Sequence, residues 1–112
     1  MNDDEAIKAR IEVLAKVFTG RLHVRFEKLN ETFALCARDH GDDANWAELH
    51  RQLHSLADAA ASFGFDALGV QASRIALRVT ALLAQSERHQ HDVDQVGQAL
   101  AALQQTDLHP TQ

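Results

Sequence analysis

Three features of the 112-residue chain predict an all-α fold, an antiparallel up-down-up-down four-helix bundle with a short additional N-terminal helix. Apolar residues recur at spacings of three and four along most of its length, the period of a helix with one buried face. No window alternates with the period of two that a half-buried strand would show, and tyrosine is absent. Breakers are scarce, with one proline and five glycines, and helices joined by short connections pack as antiparallel neighbours.

Each element has its own signal. Asp3, Asp4 and Glu5 are an acidic start suited to the positive end of a helix. From there Ile7, Ile11, Leu14, Phe18, Leu22, Phe26, Leu29, Phe33 and Cys36 form one long stripe that reads as core. Gly20 weakens the helix interior, so the stripe divides into a first helix at about 4–18 and a second at about 20–38. Residues 39–43 are a loop by composition. Asn45 with Glu48 three residues on fits a capping box and opens a third helix. Its apolar face is Trp46, Leu49, Leu53, Leu56, Ala60 and Phe63, and it ends near Ser62-Phe63-Gly64. Asp66 caps a fourth helix that buries Leu68, Ala72, Ile75, Val79, Leu82 and Leu83. The polar stretch Ser86 to His91 reads as a turn, and Asp92 caps a last helix that buries Val93, Val96, Leu100 and Leu103. Residues 1–106 then form one helical bundle, and residues 107–112, with Pro110, a tail or linker.

The bulk numbers narrow the function. A net charge of −5 argues against a nucleic-acid partner, because phosphate backbones are bound by clustered lysine and arginine. An acidic surface suits a partner with a basic rim. No apolar run approaches the ~20 residues of a membrane span, and the acidic N-terminus is the opposite of a secretory signal, so a cytoplasmic location is expected. The lone Cys36 excludes an intrachain disulfide and has the spacing of a core residue. No P-loop or kinase glycine-rich motif occurs, and no cofactor is called for.

The third helix carries the candidate chemistry. On a helical wheel His54 points roughly 130° from the centre of the apolar stripe. Ala57, Asp58 and Ala61 lie beside it and His50 one turn earlier. The expected result is an exposed imidazole among mostly small side chains, where another protein can approach closely. A lone surface histidine is usually just a solvated residue. What sets this one apart is the run from His54 to Phe65.

That run resembles the phosphoacceptor segment of histidine-containing phosphotransfer (HPt) domains, whose pattern is His-x-Leu-Lys-Gly-(Ser/Ala)-Ala-x-x-x-Gly. His54, Leu56, Ala59, Ala60 and Gly64 match it, with Phe63, Phe65 and Leu68 also typical. Ala57 stands where the family has lysine, and Asp58 where it has glycine. The resemblance implies that His54 accepts a phosphoryl group from a receiver-domain aspartate and passes it on. The partners would be a response-regulator receiver domain, a hybrid sensor kinase, or both. It further implies a phosphoryl carrier without autonomous catalysis, docked through His50, Arg51, Ala57, Asp58, Ala61 and Gly64.

Other readings stay open. The same helix face could bind signalling proteins without being phosphorylated. Asp58 could obstruct a carboxylate-rich receiver site, disfavour the nucleophilic form of the ring, or orient it by a hydrogen bond. His50, His54 and Asp58 also have metal-ligand spacing, with His23, His89, His91 and His109 available, but no metal site is expected. Arg51 and Arg74 could flank a docking patch or simply solubilise the surface.

Overall fold

A computed structural model describes residues 3–108. All its regular structure is helical: α1 (Asp3–Gly20), α2 (Leu22–Arg38), α3 (Asp43–Ser62), α4 (Asp66–Leu83) and α5 (Gln90–Leu103). Helices α2 to α5 enclose a common core, α3 packing against α2 and α4, and α5 against α4 and α2. Leu29, Cys36, Trp46, Leu49, Leu53, Leu56, Leu68, Val79, Val96 and Leu103 fill it and are all but inaccessible to water.

Three helix starts differ from the capping expected. Asp42, not Asn45, caps α3: its Oδ1 accepts from the backbone N–H groups of Ala44 (3.0 Å) and Asn45 (3.4 Å). A carboxylate there meets both the orphan donors and the positive helix end. Asp66 and Asp92 lie inside the first turns of α4 and α5, whose cap positions are Phe65 and His89 without side-chain capping bonds. The turn expected over Ser86–His91 therefore ends two residues sooner, and α5 begins at Gln90. The expected tail straddles the boundary of the described residues. Asp107 and Leu108 are irregular and exposed, and 109–112, with Pro110, lie outside.

The end of α3 follows its glycine. Gly64 has φ 83°, a left-handed conformation that a Cβ disfavours. The amide of Phe65 donates to Ala60 O (2.8 Å) and that of Gly64 to Ala61 O (3.3 Å). This is the paired pattern of a Schellman helix end, with Phe65 buried where such motifs place an apolar residue.

The largest departure is α1. It is 18 residues long rather than short, and the core expected of its stripe is absent. Ile7, Ile11, Val13, Leu14 and Val17 are all between 44% and 60% exposed. Phe18 alone on this helix is buried, its ring 5.7 Å from Phe63 and 5.5 Å from Phe65. The break before α2 is slight, because the Arg21 amide still bonds to Val17 O at 3.2 Å. At 1.5 Å per residue α1 and α2 together make a rod of about 54 Å. The described chain is 59 Å long and 22 Å wide, so α1 runs on past the end of the bundle.

Arg88, in the loop expected to be merely polar, has a side chain only 3% exposed. It donates to Leu82 O (2.7 Å), His40 O (2.8 Å) and Asp43 Oδ1 (2.5 Å), tying the α4–α5 loop to the α2–α3 loop. Trp46 donates its Nε1–H to the same His40 carbonyl at 3.0 Å and meets Phe33 edge-on, closing that end of the core.

Candidate functional site

The core face of α3 fixes where its other face points. With Leu49, Leu53, Leu56 and Ala60 fully inside, His54 projects outward and its side chain is 69% exposed. Its Nε2 lies 3.3 Å from Oδ2 of Asp58, one turn on and itself 72% exposed. The ring of half-buried His50 lies one turn before, nearly parallel to that of His54, with centroids 6.3 Å apart. A neutral imidazole has one lone pair. If Nε2 carries the proton it donates to Asp58, and the lone pair is then on Nδ1. An attack through Nε2 needs that contact opened, and two exposed side chains leave room for Asp58 to rotate.

His54 stands between two grooves. On one side, between α2 and α3, Arg21, Arg25, Lys28 and Arg51 line a basic groove with Val24, Leu29, Gln52 and Ser55. Arg25 Nη1 donates to Ser55 Oγ (3.3 Å), the residue next to His54, and Gln52 Nε2 donates to Thr32 Oγ1 (2.9 Å). Arg51 is bound back along its own helix to Glu48, its Nε donating to Oε2 at 2.9 Å. The Arg51 guanidinium hydrogen-bonded to Glu48 holds that carboxyl down at about 2 and pushes the arginine further up. On the other side, between α3 and α4, Ala57, Asp58, Ala61, Gly69, Ser73 and Arg74 line a second groove with Asp66, Val70 and Leu77.

These positions correct one expectation. Ala57 is not an exposed neighbour of His54 but 7% exposed, on the floor of the second groove. Helix α3 is covered by α2 on one side and α4 on the other, so its buried arc is wider than the single apolar stripe. Gly69 permits that coverage, since a Cβ there would sit 3.3 Å from the Ala57 carbonyl. Gly64 is ten residues from His54, about 15 Å along the helix axis, and its structural task is to end α3. Ala61 and Asp58 are exposed as expected. Arg74 shares the groove with Asp58.

Sequence reasoning missed the basic groove, although Arg21, Arg25 and Lys28 recur at spacings of four and three and so share a face of α2. Among the described residues no cluster of three or more His, Cys, Asp or Glu is arranged to hold a metal ion; His109 lies outside them. Among the same residues no helix is long and apolar enough to cross a membrane.

A family model described as the Hpt domain matches residues 13–106, most of the chain. No curated protein and no solved structure matches it.

Proposed function

The chain belongs to the Hpt domain family, and from that premise we propose that it is the phosphotransfer module of a bacterial multistep two-component phosphorelay, with His54 as the phosphoacceptor. Hpt domains are phosphocarrier modules that work with receiver domains and kinases in phosphorelays, so function lies in the transfer between partners. The observation that carries the assignment is the outward-facing imidazole of His54, at the motif position on a helix whose other face is core.

In the transfer, an imidazole nitrogen of His54 attacks the phosphorus of a receiver aspartyl phosphate. The N–P bond forms as the P–O bond to the aspartate breaks, and the carboxylate leaves with the bonding pair. The ring's remaining proton stays on the other nitrogen. In the onward step a second receiver's aspartate attacks the phosphorus and the imidazole leaves. The carrier is regenerated unchanged, so the module needs no cofactor and has no turnover of its own. His50, Arg51, Asp58 and Ala61 frame the docking face. The bundle of this reading is α2 to α5 in antiparallel up-down-up-down order within residues 1–106, with 107–112 as a tail and the cytoplasm as its compartment.

A second reading is favoured by one contact. The Asp58 carboxylate lies 3.3 Å from His54 Nε2, where the family pattern has glycine, and Ala57 leaves no lysine beside it. On this reading the same face docks signalling proteins without being phosphorylated. The test is label transfer from a panel of prephosphorylated receiver domains to wild type and to His54→Ala. Acid-labile label on the wild type alone supports the relay. A receiver that binds both proteins while labelling neither supports the docking reading.

A further inference from the structure

The apolar stripe of α1 has the features of a helix–helix seam without a partner helix. Ile7, Ile11, Leu14 and Phe18 are spaced four, three and four apart, the repeat of a paired-helix interface. Phe18 is satisfied by Phe63 and Phe65 at the end of the bundle. The same face then runs on beyond the bundle with Ile7, Ile11 and Leu14 about half exposed and Val17 on its flank. Contiguous apolar surface of this kind marks an interaction site in a folded protein.

The charge along α1 selects the occupant. Its first turn is acidic, with Asp3 and Asp4; Lys8, Arg10, Glu12 and Lys16 are spread along it, its last turn carries no basic residue, and Arg21 follows directly after it. A second α1 laid antiparallel, with Ile11 against Leu14, sets Asp4 opposite Arg21, and two-fold symmetry makes that pairing twice. A parallel copy would instead set acid beside acid and base beside base. An 18-residue helix is about 27 Å long, and a two-helix seam of that length buries on the order of 1,000 Å² over both copies, the lower bound of a specific interface. We propose that α1 is a homodimerisation arm, in which Ile7, Ile11 and Leu14 of two copies form an antiparallel helix pair. The two bundles then lie at opposite ends of the pair.

The test is analytical ultracentrifugation of the full chain from about 1 to 500 μM. A concentration-dependent monomer–dimer equilibrium is expected within that range. Ile11→Asp with Leu14→Asp should be monomeric at every concentration while keeping the cooperative thermal unfolding of the bundle. Arg21→Glu should weaken the dimer roughly fivefold at low salt, the worth of two exposed ion pairs, and adding Asp4→Arg should restore it. A wild type that stays monomeric to 500 μM overturns the proposal, and so does a dimer that survives the double aspartate substitution. Restoration failing in the charge swap overturns the antiparallel order.

Discussion

Replacing Asp58 by asparagine should accelerate phosphoryl transfer to His54, and the structure sets the size of the effect. Asp58 Oδ2 lies 3.3 Å from His54 Nε2, so a phosphoryl group on that nitrogen would hold its charge about 4 Å from the carboxylate. Both side chains are about 70% exposed, which makes the dielectric of water the appropriate one. Two unit charges at 4 Å in water interact by about 1 kcal/mol, and a phosphoryl group carries a charge of about −2. The unscreened repulsion is therefore about 2 kcal/mol, and rotation of Asp58 and physiological salt reduce it to about 1 kcal/mol. Asparagine keeps the shape and an acceptor oxygen while removing the charge. Quench-flow transfer from a phosphorylated receiver should then run about 5-fold faster in Asp58→Asn at physiological salt, and more so at low salt. The ratio should fall toward unity near 1 M salt, where the Debye length is about 3 Å. An equal or slower rate, or an acceleration indifferent to salt, would refute the view that Asp58 opposes the phosphoryl group by charge.

Three further outcomes follow from the packing. Arg88→Ala should cost about 2–3 kcal/mol, read as a Tm lower by about 10 °C. It removes charge-assisted bonds from a buried side chain, but Leu82 O and His40 O keep bonds from Gln85 and Trp46, and Asp43 regains water. Leu53→Ala should cost about 2–5 kcal/mol in denaturant melts through lost burial and a cavity, whereas His54→Ala should stay within about 0.5 kcal/mol. Burial pushes the Cys36 thiol up to about 11 from an ordinary 9.0. The unfolded chain then releases that proton first, so stability should fall as pH rises through about 9 to about 11 and be unaffected by this group below 9. Cys36→Ala should lack that component of the pH slope in urea titrations.

The residues that were legible in the sequence are those whose periodicity is matched by a neighbour. Trp46 to Ala60 on α3 and Leu68 to Leu82 on α4 read as core and are core. The stripe of α1 has the same spacing and is open to water, because periodicity records that a helix has an apolar face and not what covers it. Ala57 failed for a related reason: one wheel describes one stripe, while α3 is covered from two sides. Arg88 left no signal, since arginine in a polar loop is ordinarily solvated, and its burial follows from which carbonyls two distant loops bring together. The exposure of His54 and Asp58 was legible because it needs only the direction opposite the core. Their 3.3 Å contact depends on rotamers that a sequence does not specify.

The most direct measurement of the central claim is mass-spectrometric localisation of phosphate at neutral pH after incubation with a phosphorylated receiver domain. Wild type, His50→Ala and His54→Ala would be compared side by side. One acid-labile phosphate is expected on wild type and on His50→Ala, mapped to His54, and none on His54→Ala. Phosphate persisting on His54→Ala, or mapped to another residue in the wild type, would contradict that claim.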